Sequence, residues 1–100
     1  KVIKYRDIYL ESEKQFSKYN FEYANTDYLF KSFEFMESEC KDLLKNNLPL
    51  PAFENCIKAS HYFNILDSRG VIGVAQRQSY ILKIRTLVKS CCESWIKQES

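Results

Sequence analysis

From Val74 to Ile96 the chain runs without a proline or a glycine, and apolar side chains recur along it at helical spacing. At about 100° per residue, Val74, Ile81, Ile84, Val88, Cys91, Cys92 and Trp95 fall on one side. Tyr80, Leu82, Leu87 and Ile96 widen that side to more than half of the circumference. A surface helix needs a stripe of only roughly 100°. The wider arc predicts contacts with several neighbours, so this segment is expected to be the long, central helix of a small all-α bundle.

Two charged residues, Arg77 and Arg85, fall inside the apolar arc, whereas Ser79, Lys83, Thr86 and Ser90 fall outside it. A guanidinium drawn into a core needs a carboxylate or carbonyl partner, because an unpaired buried charge is too costly. The preceding segment, His61-Tyr-Phe-Asn-Ile-Leu-Asp-Ser-Arg69, offers Asp67 as the first candidate, followed by Glu22 and Asp27. Lys83, Lys89 and Lys97 are placed on or near the outward side of the same helix. They are either an ordinary solvated helix back or a set of phosphate contacts.

Three shorter helical patterns precede the long one, giving about four helices in all. Tyr5, Ile8, Tyr9, Phe16 and Tyr19 recur at helical spacing from Tyr5 to about Lys18, with Ser12 interrupting the stripe. Tyr19 to Asn25 is dense in aromatics and either continues that helix or forms a packed turn. Asn25 or Thr26 can cap the next helix, since a side-chain oxygen there accepts from the first free backbone amides. Leu29, Phe33, Met36, Cys40, Leu43 and Leu44 mark its apolar stripe to about Lys45, and Asn46-Asn47 ends it. Leu48-Pro-Leu-Pro51 reads as a loop, with Pro51 opening a third helix that runs to about Ser68. Phe53, Cys56, Ile57, Ser60, Phe63 and Leu66 are its expected buried face. Gly70 suits a left-handed cap, and Gly73 is the expected N-cap of the last helix, with Gln76 positioned to reach back to its amide.

Charge, hydropathy and motif content remove several function classes. A net charge of +2 is too small to imply a polyanionic partner on its own, although residues 51–100 are mildly basic. No apolar run approaches the length needed to cross a bilayer, which argues against a membrane role. Cys40, Cys56, Cys91 and Cys92 form no Cys-x-x-Cys pair and sit at apolar helical positions. They read as small buried hydrophobes in a reducing cytoplasm, with no metal site. His61 is the only histidine, and with no second ligand or nucleophile beside it, it reads as structural. There is no Gly-rich phosphate loop and no Ser-His-Asp set, and Glu11, Glu13, Glu34, Glu37 and Glu39 read as surface carboxylates. No catalytic residue is assigned.

Two runs carry a resemblance. Ala59-Ser-His-Tyr-Phe-Asn-Ile-Leu-Asp-Ser-Arg69 and Arg77-Gln-Ser-Tyr-Ile-Leu-Lys-Ile-Arg-Thr-Leu87 closely resemble the C-terminal part of the alpha chain of bacterial glycyl-tRNA synthetase, the form built from separate alpha and beta chains. Tyr19-Asn-Phe-Glu-Tyr-Ala24 with Asp27, Leu29 and Phe30, and Leu48-Pro-Leu-Pro-Ala52 with Glu54, match in the same order. One departure is Gly73-Val-Ala-Gln76, where the family usually has Ser-Val-Thr-Glu.

The resemblance implies a class II aminoacyl-tRNA synthetase, cytoplasmic, that joins glycine to its tRNA through an adenylate, using ATP with magnesium. Its signature motifs would lie upstream of the matched region. Residues 1–100 are therefore expected to be a single helical accessory domain from the C-terminal part of a longer chain, a reading that the absence of an initiator Met also suggests. The piece itself would need no cofactor. Its expected partners are the beta chain, tRNA(Gly) through the whole enzyme, and a second alpha chain in the parent. A rival from another class is a free-standing helical protein- or RNA-binding module unrelated to aminoacylation.

Overall fold

In the computed structural model, which describes residues 2–99, the apolar periodicity is realised as four α-helices and no strand among the described residues. They are α1 (Tyr5–Lys18), α2 (Thr26–Lys45), α3 (Pro49–Ser68) and α4 (Val74–Glu99), with a π-helical turn, Tyr19–Tyr23, continuing α1. The lead-in residue Lys1 lies outside the described residues.

The helix ends follow from local chemistry. Asn25 caps α2, its Oδ1 accepting from the amides of Asp27 at 2.8 Å and Tyr28 at 3.2 Å. At the other end of α2, Asn47 takes a left-handed conformation with φ of 60°. The Leu48 and Asn47 amides then donate to the carbonyls of Leu43 and Leu44, which closes a Schellman motif. Gly70, with φ of 70°, plays the same part at the end of α3. Gln76 Oε1 accepts from the Gly73 amide at 3.0 Å, so the last helix keeps half of a capping box.

The start of α3 departs from expectation. Leu48-Pro-Leu-Pro51 is not a loop: Pro49 opens the helix and Pro51 lies in its first turn. Amides of a first turn have no intrahelical acceptor, so neither proline removes a hydrogen bond there. The face of α3 is also rotated from the expected one. Ala52, Cys56, Ala59, Phe63, Ile65 and Leu66 are buried, whereas Phe53 and Ile57 are exposed. Alanines let neighbouring helices approach closely, and the bulkier side chains are left at the rim.

The core has two parts. At one end Leu29 and Phe33 of α2 meet Ala59, Phe63, Ile65 and Leu66 of α3, together with Ala24 and Ile72. Tyr80 of α4 wedges between them, its ring edge-on to Phe33 at 4.7 Å and stacked on Phe63 at 5.8 Å. At the other end Cys40, Ala52, Cys56, Leu87 and Cys91 form a smaller cluster. The long α4 contacts both α2 and α3, as its wide arc requires, but α3 supplies more buried residues than any other helix.

No residue of α1 is buried, and the helix contacts only the π-helical turn that follows it. The radius of gyration is 16.7 Å and the extents are 57 × 36 × 16 Å. A compact chain of this length would have a radius near 13 Å, and the excess reflects α1 projecting from the bundle.

Candidate interaction surfaces and the clasp behind them

The C-terminal end of α3 ties three elements together. Asp67, in its last turn, receives Arg77 of α4: Nε and Nη2 approach the same carboxylate oxygen, Oδ1, at 2.9 and 2.8 Å. Both side chains are partly exposed, so the pair is of the kind that contributes up to about 1 kcal/mol. Two residues on, Arg69 turns the other way. Its Nη1 donates to the Ala24 carbonyl at 2.7 Å and to the Asn20 carbonyl at 3.5 Å. Those acceptors are freed where the π-helical turn ends, so a single guanidinium holds the root of α1 against the bundle.

Arg69 was not among the residues singled out by sequence. Its partners are backbone carbonyls on a distant segment, and no pattern of side chains announces them. Conversely, Arg85 and Glu22 do not play the parts expected of them. Arg85 is exposed and makes no ion pair among the described residues, because α4 buries Leu87 and Cys91, packs the partly buried Ile84 beside them and turns Arg85 away from α2 and α3. Glu22 is exposed on the π-helical turn and pairs with no arginine; Asp27 is likewise exposed.

The thiols divide in a similar way. Cys40, Cys56 and Cys91 are buried, and Cys40 Sγ lies 3.8 Å from Cys91 Sγ. Burial, followed by the neighbouring Cys91, pushes the Cys40 thiol up to about 12, and burial raises Cys56 and Cys91 as well. They are neutral thiols, poorly disposed to react. Cys92 departs from the expectation of four buried cysteines: it is exposed. Among the described residues no group of three or more His, Cys, Asp or Glu side chains is arranged to hold a metal ion. His61 lies at the surface, its ring 6.0 Å from that of Tyr62.

The lysines of α4 do not form one patch. Lys83 Nζ stands 5.4 Å over the Tyr80 ring, and Lys89 lies 4.0 Å from Glu93 in an exposed pair. Lys83 and Lys89 point about 120° apart around the helix. Lys97 is exposed near the helix end.

Among the described residues, two apolar surfaces stand out as uncovered. One is a groove of about 330 Å³ between the start of α3 and the end of α4, lined by Pro49, Leu50, Phe53, Cys91, Cys92, Trp95 and Ile96. The other, of about 660 Å³, runs along α1 and is lined by Ile3, Ile8, Phe16 and Tyr19, with Asp7 and Glu11 among its polar residues. Monomeric surfaces carry isolated apolar residues, but contiguous patches mark interfaces.

The family model of the glycyl-tRNA synthetase alpha subunit matches residues 1–100. The chain belongs to that family. Within the glycyl-tRNA synthetase alpha subunit family, the glycine–tRNA ligase alpha subunit of Rickettsia bellii (strain OSU 85-389) is 48% identical over 97 residues, which cover 97% of this chain and 34% of the relative. That of Rickettsia prowazekii (strain Madrid E) is 46% identical over 100 residues, covering 100% and 35% respectively. The corresponding protein of Rickettsia typhi (strain ATCC VR-144 / Wilmington) is 47% identical over the same length. The chain thus spans about a third of the length of the curated relatives it matches. No helix among the described residues is long and apolar enough to cross a membrane.

Proposed function

We propose that residues 1–100 form a non-catalytic helical region of a glycine–tRNA ligase alpha chain, and that its role is docking. The parent would be a class II enzyme of the cytoplasm that attaches glycine to tRNA(Gly), working with a beta chain and a second alpha chain. The observation that carries this reading is the match of the alpha-subunit family along the whole chain, combined with its span of about a third of the relatives. The same match removes the ground for a helical module unrelated to aminoacylation.

The chemistry of the side chains supports a structural role. Arg77 is committed to Asp67 and Arg69 to two carbonyls, so neither is free to hold a phosphate. ATP and its magnesium would, in this reading, belong to the catalytic part of the parent. In this reading the groove between α3 and α4, with Phe53 and Trp95 half-exposed on its walls, meets the beta chain. Aromatic side chains in such a position supply most of the binding energy at an interface.

The test uses the parent alpha chain carrying Phe53→Glu and Trp95→Glu. Glycine-dependent exchange of pyrophosphate into ATP should persist, while co-elution with the beta chain is lost. Loss of the exchange would contradict the non-catalytic reading, and undiminished co-elution would contradict the docking role of this groove.

A further inference from the structure

Three of the four cysteines meet in the smaller core cluster, and two of them touch. Cys40 of α2 and Cys91 of α4 are 51 positions apart in the chain, yet their sulfurs lie 3.8 Å from each other. The third, Cys56, turns its thiol toward the Ile84 carbonyl, at 3.9 Å. Cys92 is exposed, and as the next residue of α4 it points about 100° away from Cys91. The touching thiols differ in access. Cys91 lies on the wall of the groove between α3 and α4, whereas Cys40 sits behind it, fully buried. Burial raises both thiols, but their contact favours the thiolate at Cys91 and the proton on Cys40.

The geometry points to a redox-sensitive staple: hydrogen peroxide entering the groove converts Cys40 and Cys91 into a disulfide that ties α2 to α4. The Cys91 sulfur attacks one peroxide oxygen. An S–O bond forms, the O–O bond breaks, and the leaving hydroxide departs as water with the Cys91 proton, so that a sulfenic acid remains. The Cys40 sulfur then attacks the Cys91 sulfur. The S–S bond forms, the S–O bond breaks, and a second water leaves with the Cys40 proton. The two thiols lose two electrons, which the peroxide gains. A disulfide needs about 2.05 Å between its sulfurs, so each moves by about 0.9 Å, a shift that rotation about the Cα–Cβ bonds supplies. Neutral thiols make the first step slow, so the staple answers sustained peroxide rather than brief exposure. Because α4 packs mainly on α3, the bridge adds a tie where the packing between helices is thinnest. On the docking reading given above, beta chain covers this groove, and the staple belongs to the unassembled alpha chain.

The experiment exposes the parent alpha chain to hydrogen peroxide, with and without beta chain, blocks the free thiols and maps unreduced tryptic peptides by mass spectrometry. Residues 32–41 carry Cys40, and residues 90–97 carry Cys91 and Cys92. These two peptides should be joined, in the unsubstituted chain and in Cys92→Ser alike, and should separate again with dithiothreitol. Cys40→Ala should abolish the bridge and leave a sulfenic acid at Cys91 that dimedone traps; Cys40→Ser serves if Cys40→Ala unfolds the bundle. The bridged chain should melt at a higher temperature than the reduced one, since a tie across 51 positions restricts the unfolded state. Peroxide that oxidises Cys92 while the two peptides stay unjoined overturns the proposal. So does a bridge through Cys56, and so does an unraised melting temperature. Beta chain should slow the bridging. Equal rates with and without it contradict the docking reading of the groove alone, because the bridge itself has then formed.

Discussion

The bundle of α2, α3 and α4 and the projecting α1 are made from the same kinds of residue. Both carry phenylalanines and tyrosines at helical spacing, but Phe33 is fully buried and Phe16 is 65% exposed. The difference lies in what faces them. Phe33 meets Ala59, Phe63 and Tyr80, where small and large side chains from three helices interdigitate. Phe16 meets solvent. Periodicity therefore announces that a helix has a face to bury without saying what will cover it.

The comparison is broken most directly by truncating one phenylalanine in each region. Phe33→Ala should lower stability by about 3–5 kcal/mol, the usual cost of emptying a packed core position. Phe16→Ala should change it by no more than about 0.5 kcal/mol. Chemical denaturation of the two variants measures both, and similar losses would mean that α1 belongs to the core.

A pH series separates the regions in another way. Cys40, with its thiol raised to about 12, stays protonated in the folded bundle while the unfolded chain ionises near the ordinary value of 9. Between those two values the unfolded state binds fewer protons, so stability is present below pH 9 and falls as pH rises toward 12. Tyr62 and Tyr80, raised chiefly by burial, act in the same direction. Thermal melts should show the alkaline fall, and Cys40→Ala should make it shallower.

Where the two regions join, Arg69→Ala should cost about 1 kcal/mol, since it removes charge-assisted hydrogen bonds at a partly exposed site. Arg69→Lys should recover part of this, because both carbonyls are reached by the single Nη1 and an ammonium can also donate to two acceptors. The smallest effects lie on α4. Gly73→Ser should raise stability by about 0.3 kcal/mol by adding a side-chain acceptor at the cap. A Cβ there meets only Gln76 Oε1 at 3.7 Å, an ordinary contact. Arg85→Lys should be silent to within about 0.5 kcal/mol, since Arg85 is exposed. Denaturation midpoints distinguish these outcomes.

What could be read from the sequence was local. The Asn25 cap, the Gly70 turn and the Gly73–Gln76 contact each depend on residues within a few positions of one another. So do the helices themselves, which stand on runs of apolar periodicity. Asp67 and Arg77 are close because one short turn joins the helix ends that carry them. The errors came from packing. A wheel shows that Arg85 borders the apolar arc of α4 but not that α2 and α3 occupy only the other side of it. Phe53 and Ile57 look like core residues until Ala52 and Ala59 are seen to set the distance between helices. The prolines at 49 and 51 suggest a loop unless the missing acceptors of a first helical turn are counted. Arg69 gave no signal, because backbone carbonyls brought near by the tertiary fold leave no mark in composition or spacing.

Hydrogen exchange across this chain of 100 residues tests the division most directly. Amides of α2, α3 and the middle of α4 should exchange slowly, at a rate set by global unfolding, and those of α1 up to the π-helical turn should exchange at near-free rates. Protection of α1 equal to that of α2 would contradict that division.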